Sequence, residues 1–255
     1  MKKIHTVVIG GTRGLGAEVV KLFSQEGHQL SVLARTSLEN TDNVTYVEAD
    51  LLKEHSFLSA IEQVISTQGD INHLIFLQRY RGTGDHWSGN LEVGLNATRK
   101  IIAYLKDKFC KDENTDKSIV MVSSVAGTLA NDSQPISYSI TKAGLNYMVK
   151  YYAVELGQYG IRVNGVSPIG FIKEESKKYY LEENKSLNKL YQDIIPLKRM
   201  GNSQDVANVI SFLCSSGASF ISGQNIAVDG GLSVRSHETL ALELSRNTKQ
   251  EREKT

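Results

Sequence analysis

Short apolar runs alternate along the chain with longer segments that repeat apolar residues every three or four positions. The short runs are apolar on both faces and lie at 4–10, 29–34, 44–48, 71–77, 118–123, 161–167 and 224–228. The longer segments have helical periodicity and lie near 14–26, 53–67, 87–109, 137–158, 174–194 and 204–215. Continuous apolar strands separated by helices are typical of a parallel sheet covered on both sides. The pattern predicts an α/β fold, a doubly wound parallel sheet with helices on both faces.

The chain length and composition restrict the class of protein further. A chain of 255 residues fits one large domain, here 1–232, followed by a polar tail at 233–255 in which Leu240 and Leu244 share one helix face. The last nine residues are polar enough that we expect them to fray. A net charge of +1 argues against a broad nucleic-acid surface.

Cysteine usage and hydropathy indicate the compartment. Cys110 and Cys214 are too few and too far apart for a disulfide framework or a zinc site, and no other metal site is expected. The first residues lack the long apolar core of a signal peptide, and no run approaches the roughly 20 apolar residues that cross a bilayer. We expect a soluble, cytoplasmic protein with reduced thiols and no membrane partner.

The first strand-to-helix turn, IGGTRGLG, has the chemistry of a phosphate-binding loop. Gly10, Gly14 and Gly16 would let the backbone approach a pyrophosphate, and the helix N-terminus favours negative charge. A plain tight turn is the alternative. If a nucleotide binds, Thr12 and Leu15 complete its contacts within this turn.

The end of the second strand indicates which dinucleotide would bind. A carboxylate there would accept hydrogen bonds from the adenosine ribose, but this chain has Arg35, and Arg13 stands in the glycine turn. Two guanidinium groups suit a 2′-phosphate, so the sequence favours NADP(H) over NAD(H), unless both arginines are solvated surface. Asp50, followed by Leu51, is placed either to contact the adenine or to cap the next helix.

A tyrosine and a lysine four residues apart follow the fifth strand. Tyr138 and Lys142 would share one helix face, where an ammonium favours the phenolate form of its neighbour. Ser124, at the end of the preceding strand, could bind the same substrate oxygen. Tyr104 and Lys108 have the same spacing without such a serine, so spacing alone does not identify a site.

Four motifs in order resemble those of the short-chain dehydrogenase/reductase family over residues 4 to 231. These are IGGTRGLG, VSSVAG with YSITK, IRVNGVSP, and PLKRMGNSQDVANVISFLCSSGASFISGQNIAVDGG. The resemblance implies a seven-stranded Rossmann sheet, a nicotinamide cofactor and a homo-oligomer, tetramer or dimer. It implies the catalytic roles for Ser124, Tyr138 and Lys142, and it ranks Ser123 below Ser124.

The middle of the chain departs from that family pattern. The family's Asn-Asn-Ala-Gly after the fourth strand is here Phe76-Leu77-Gln78-Arg79. The asparagine that the family carries seven residues beyond a tryptophan falls on Gly94. Since that asparagine holds a water linking the lysine to solvent, its loss puts the proton relay in doubt. Asn96 would replace it only if the helix shifts register.

The segments that the resemblance places around the substrate depart most from the family pattern. Arg79 and Arg81 would clamp a carboxylate or phosphate, or else form an exposed charged loop. His86 is a candidate proton carrier, with a plain helix-start histidine as the alternative. Pro168 precedes the nicotinamide contact, which Ile172 or Phe171 would supply. Residues 170–197 would form the substrate lid, with three candidate wall residues, Tyr179, Tyr180 and Tyr191.

These observations converge on one expected activity. It is the interconversion of a carbonyl and a secondary alcohol, dependent on NADP. The substrate is a small molecule, and it is anionic if Arg79 and Arg81 form a clamp rather than an exposed loop. The alternative is a cofactor-binding sensor or partner subunit with impaired catalysis, which the lost asparagine motivates.

Overall fold

The computed structural model describes residues 3–112 and 115–252, and in it one parallel sheet forms the centre of the protein. Its strands are β1 His5–Ile9, β2 Gln29–Ala34, β3 Val44–Glu48, β4 His73–Phe76, β5 Lys117–Val122, β6 Ile161–Pro168 and β7 Asn225–Val228. They lie in the order β3-β2-β1-β4-β5-β6-β7. The chain changes direction between β1 and β4, which opens a crevice at the carboxyl ends of the strands. The predicted doubly wound α/β fold and all seven strands are confirmed.

Helices cover both faces of this sheet. They are α1 Leu15–Gln25, α2 Glu54–Gln68, α3 His86–Leu91, α4 Ala97–Leu105, α5 Ile136–Gly157, α6 Lys185–Ile194, α7 Ser203–Cys214 and α8 His237–Arg252. Helices α2, α4 and α5 pack on one face, and α1 with α7 on the other. Every residue of β1, β4 and β6 is buried, as expected for central strands of a parallel sheet covered on both faces.

The segment at 87–109, predicted as one helix, is broken. A π turn at Glu92–Asn96 separates α3 from α4. It lies where Gly94 meets α5, because a Cβ built on Gly94 would stand 2.2 Å from Thr141 Cγ2. The break therefore depends on a contact with a helix distant in sequence, which local periodicity does not encode.

The predicted lid helix is also interrupted, and the tail is more regular than expected. Between Pro168 and α6 the chain forms a 3₁₀ turn at Glu174–Ser176 and a π turn at Tyr179–Glu183. The tail forms α8, which packs on α6. Its last three residues lie outside the described range.

Three buried histidines lie at the amino ends of strands, opposite the crevice, and each has a hydroxyl partner. His5 contacts Ser31 (2.9 Å), His28 contacts Thr6 (2.8 Å) and His73 contacts Ser118 (2.9 Å). Burial, and secondarily the charges of His28 and Arg162, lower the pKa of His73 to about 3. Burial likewise lowers the pKa of His28, so both His28 and His73 favour the neutral form.

Among the described residues, no helix is long and apolar enough to cross a membrane. Within the same part of the chain, no cluster of three or more His, Cys, Asp or Glu side chains is placed to hold a metal ion. Cys110 and Cys214 are free thiols.

Candidate active site

A cavity of about 1330 Å³ opens at the carboxyl ends of the strands. The predicted site residues that line it are Gly10, Thr12, Arg13, Gly14, Leu15, Gly16, Arg35, Asp50, Leu51, Arg79, Arg81, Ser124, Tyr138, Lys142 and Pro168. Three others, His86, Ile172 and Tyr179, do not line it. The fold thus brings both sequence constellations, the glycine turn and the Ser-Tyr-Lys set, to one crevice.

Helix α5 carries Tyr138 and Lys142 and is held close to the end of β5 by a glycine. A Cβ on Gly127 would lie 2.7 Å from the backbone carbon of Lys142, so only glycine allows the turn Val125–Gly127 to rest on α5. Asn146 fixes the same contact through its side-chain amide, which donates to the Gly127 carbonyl (3.3 Å). The serine pair at the end of β5 is thereby brought beside the tyrosine and lysine.

The two serines of this turn have different roles. Ser123 Oγ donates to the Lys142 carbonyl at 2.9 Å and is buried between strand and helix. Ser124 Oγ accepts from the Ala126 N–H at 3.2 Å and has only a long contact, 3.5 Å, to the Pro168 carbonyl. Ser124 therefore keeps donor capacity facing the cavity, whereas the hydroxyl of Ser123 is used in packing.

Lys142 is the most perturbed base in the cavity. Its ammonium group donates to the Val122 carbonyl at 2.8 Å, and only 6 % of the residue is exposed. Burial, and then the charge of Arg79, lower the pKa of Lys142 to about 7. Such a value lets one side chain exist in both protonation states near neutral pH.

The Tyr138 ring has two cationic neighbours. The guanidinium carbon of Arg79 lies 4.6 Å from the ring centre, and Lys142 Nζ lies 5.7 Å from it. Arg79 Nη2 donates to Gln134 Oε1 at 2.8 Å, just before α5 begins. The tyrosine is half-buried and faces the cavity.

The glycine turn has the backbone shape that a phosphate cradle needs. Gly10 and Gly14 have φ angles of +92° and +54°, which side chains rarely adopt, and a Cβ on Gly16 would lie 2.2 Å from the Gly10 carbonyl oxygen. No side chain caps the N-terminus of α1. Because the loop leaves this helix end open to the cavity, its residues fit a dinucleotide phosphate.

Basic residues surround this cradle. The cavity contains six cations, Arg13, Arg35, Arg79, Arg81, Lys142 and Lys173, and two carboxylates, Asp50 and Glu175. Burial, followed by the charges of Arg13 and Arg79, lowers the pKa of Arg81, and burial followed by Arg81 lowers that of Lys173. Mutual repulsion of this kind indicates a site for a polyanion.

The lid segment lies directly over the glycine turn. A Cβ on Gly14 would stand 2.7 Å from Glu175 Oε1. The Glu175 carboxylate therefore occupies the mouth of the phosphate cradle, and a bound phosphate requires it to swing away.

Asp50 lies at the end of the cavity near Arg35. Its Oδ1 accepts from the Leu52 N–H at 3.1 Å, which closes the turn that precedes α2. Helix α2 itself begins after Lys53, and no side chain caps it. Asp50 and Leu51 thus line the cavity from a turn, and Asp50 does not cap the helix.

The position of the missing asparagine is closed by a methyl group. Thr141 Cγ2 fills the space next to Gly94, and the Gly94 carbonyl accepts from Thr98 Oγ1 at 2.8 Å. Asn96 does not replace the lost amide, because its Nδ2 donates to the exposed Glu92 at 2.7 Å. The π turn at Glu92–Asn96 does change the helical register here, but it leaves the Asn96 side chain on the exposed Glu92.

Three predicted site residues lie outside the cavity lining. The Ile172 N–H donates to the Gly201 carbonyl (2.9 Å), so it is not free for a nicotinamide, whereas Phe171 lines the cavity. His86 is exposed at the start of α3, edge-on to Tyr80. Tyr179 is exposed and accepts from Asn184 at 3.0 Å.

Three further residues line the cavity that were not predicted from the sequence, Lys173, Glu175 and Gln134. Lys173 and Glu175 lie in a charged run with an amphipathic pattern, which gives no sign that the run folds back over the glycine turn. Gln134 lies before α5 begins, so its spacing from Tyr138 gave no sign of this position either.

Comparisons with known proteins identify the family. Residues 10–233 match a family model described as "Enoyl-(Acyl carrier protein) reductase". A 3-oxoacyl-(acyl-carrier-protein) reductase FabG of Aquifex aeolicus is 33 % identical over 249 residues, covering 89 % of this chain and 96 % of that protein. Isoepoxydon dehydrogenase patN of Penicillium expansum is 30 % identical over 251 residues, covering 92 % and 96 %. The chain belongs to the short-chain dehydrogenase/reductase family of NAD(P)-dependent oxidoreductases.

Solved structures agree on the fold. A 4-hydroxyisoleucine dehydrogenase complexed with NADH has a TM-score of 0.82 at 24 % identity, with 92 % of this chain and all of that chain covered. Thermoplasma acidophilum aldohexose dehydrogenase has a TM-score of 0.80 at 23 % identity, with 92 % and 96 % covered.

Proposed function

We propose that the protein is an NADP-dependent oxidoreductase that interconverts a carbonyl group and a secondary alcohol. The observation that carries the proposal is the convergence of Ser124, Tyr138 and Lys142 on the cavity that also contains the glycine turn. A nicotinamide dinucleotide bound there supplies or accepts the hydride.

Each side chain has a role that its surroundings support. Tyr138 gives or takes the proton of the substrate oxygen, a role worth about 10²–10⁴-fold in rate. Ser124, which retains donor capacity, orients the same oxygen. Lys142, one helical turn beyond the tyrosine, contacts the cofactor ribose and lies 5.7 Å from the tyrosine ring centre.

The cofactor phosphates have matching donors. Arg13 and Arg35 hold the 2′-phosphate of NADP, and the N-terminus of α1 holds the pyrophosphate. Asp50 and Leu51 contact the adenine, and Pro168 and Phe171 border the nicotinamide end. No carboxylate follows β2 in the position that would favour NAD.

The preference for NADP is tested by titrating NADPH and NADH against protein fluorescence. We expect at least tenfold tighter NADPH binding, since two charge-assisted contacts to the extra phosphate are worth more than about 1.4 kcal/mol together. Arg35→Asp should narrow or reverse the gap, whereas Arg99→Asp, a control on α4 outside the cavity, should not. Equal affinities in the native protein would contradict the proposal.

The activity itself is tested by screening carbonyl compounds for NADPH oxidation. We expect turnover of at least one compound, and we expect Ser124→Ala to reduce it. The affinity of this variant for NADPH should stay within about threefold of native. NADPH binding without turnover of any compound would instead support the second candidate.

The second candidate is a cofactor-binding sensor or partner subunit with impaired catalysis. It is favoured by the closed pocket at Gly94, where Thr141 leaves no room for the family's relay amide. Partner binding that depends on NADPH and survives the double substitution of Tyr138 and Lys142 would identify it.

We also propose a homo-oligomer, a tetramer or a dimer, in the cytoplasm. Tyr147, Tyr151 and Val154 expose 57–84 % of their surface along one face of α5, which a second copy would cover. Two free thiols suit a reducing compartment. Light scattering measures the oligomeric state, and a monomer at micromolar concentration would contradict the proposed homo-oligomer.

A further inference from the structure

We propose that Arg79 determines substrate specificity by binding a carboxylate a few bonds from the reacting carbonyl. The substrate class is then a short free oxo acid, with the corresponding hydroxy acid as product, and not a neutral ester or thioester. This inference rests on the proposed oxidoreductase function and deepens it.

The first argument is the position of the guanidinium. The guanidinium carbon of Arg79 lies 4.6 Å from the Tyr138 ring centre, closer than Lys142 Nζ at 5.7 Å. Arg79 also lies in the field of Arg81, which extends toward Arg13 and Arg35. Arg79 is thus the arginine that contacts the tyrosine whose hydroxyl meets the substrate.

The second argument is the unused donor capacity of Arg79. One Nη2 contact goes to the neutral Gln134 Oε1, and among the described residues no carboxylate forms a salt bridge with Arg79. The planar guanidinium keeps further N–H groups for a bidentate partner. One guanidinium group suits a singly charged carboxylate better than a phosphate dianion.

The third argument is that Arg79 is held in place. Tyr80, the next residue, packs on Gly89, where a Cβ would lie 2.3 Å from its ring carbon, and it meets His86 edge-on. The His86 carbonyl accepts from Asn90 (2.7 Å) and from Ser137 on α5 (3.1 Å).

Because Ser137 precedes Tyr138, these contacts fix the Arg79 loop relative to the catalytic helix. A positioned cation confers specificity because it does not need to be ordered when the substrate binds. The short distance to Tyr138 limits the substrate to a few bonds between the carboxylate and the carbonyl, as in 2-oxo and 3-oxo acids.

The experiment compares acids with their own esters. Pyruvate and 3-oxobutanoate are assayed with NADPH beside their methyl esters and beside dihydroxyacetone phosphate. We expect at least tenfold higher kcat/KM for an acid than for its ester.

Arg79→Gln should lower the value for the acid by about 10- to 100-fold, the usual effect of one charge-assisted hydrogen bond, and leave the ester within about threefold. Arg79→Lys should restore part of the loss. The matched control is Arg81→Gln, which should keep the acid-to-ester ratio of the native protein while weakening NADPH binding. An unchanged ratio in Arg79→Gln, or a preference for the phosphorylated ketone, overturns the inference and leaves the oxidoreductase function standing.

A binding measurement separates the two proposals if no compound is reduced. The native protein and Arg79→Gln are titrated by calorimetry with 3-hydroxybutanoate, with and without NADP⁺. Binding that Arg79→Gln abolishes, without turnover of any compound, supports the carboxylate site at Arg79 and counts against the proposed activity. Absent binding, or binding of equal strength in both proteins, overturns the inference.

Discussion

The protein contains two Tyr-x-x-x-Lys pairs, and the two pairs differ in exposure and in hydrogen bonding. Tyr104 on α4 is 37 % exposed, and Lys108 is exposed in the 3₁₀ turn that follows. Tyr138 and Lys142 lie on α5, where the lysine is 6 % exposed and donates to a strand carbonyl.

The spacing itself only places two side chains on one helix face. The lowered pKa of Lys142 comes from what the fold packs against that face: the end of β5, the turn at Gly127 and the Arg79 loop. A pair that lacks those neighbours stays solvated, and its ions are screened.

The largest expected difference between the pairs is in turnover. Tyr138→Phe and Tyr104→Phe each remove one hydroxyl, but only the first lies in the cavity. We expect kcat to fall by about 10²–10⁴-fold for Tyr138→Phe, because the proton donor is lost, and to stay within twofold for Tyr104→Phe. Steady-state NADPH oxidation measures both. Equal effects of the two substitutions on kcat would contradict the assignment of Tyr138 as the proton donor.

The two lysines should differ next in the pH dependence of folding. The pKa of Lys142 is lowered from 10.5 to about 7, so the unfolded chain binds the extra proton between these values, and stability rises with pH there. Relative to Lys142→Met, the native apo protein should gain about 2 kcal/mol of unfolding free energy from pH 7 to pH 9. Urea titrations at both pH values measure it. Lys108→Met, at an exposed position, is the matched control, and a flat difference between native and Lys142→Met would contradict the burial argument.

A smaller effect should come from the helix pair that supports the catalytic face. Gly94→Asn places a Cβ against Thr141 and should destabilise the protein by about 1–3 kcal/mol through overpacking. Adding Thr141→Ala, which removes the opposing methyl, should recover most of the loss in a double-mutant cycle. The same Thr141→Ala change beside Gly157→Asn, where a Cβ meets open space, should show no coupling. Additive effects at positions 94 and 141 would show that the two residues do not compete for space.

The sheet was predictable from the sequence because a buried parallel strand needs only a continuous apolar run. The cavity lining followed from the same logic, since loops after parallel strands meet at one edge. The break at Glu92–Asn96 was not predictable, because it depends on Thr141 from another helix. The use of the Ile172 N–H by Gly201 depends equally on a distant partner. The position of Glu175 over Gly14 is of this kind too, because nothing within the lid specifies where it folds.

The packing of α8 on α6 has a practical consequence. Glu243 of α8 pairs with Lys198, just after the lid, and with Arg235, and Tyr191 of α6 lines the cavity. Substitutions that detach α8 from α6 would therefore loosen a wall of the substrate chamber, although Glu243 itself lies outside the cavity lining.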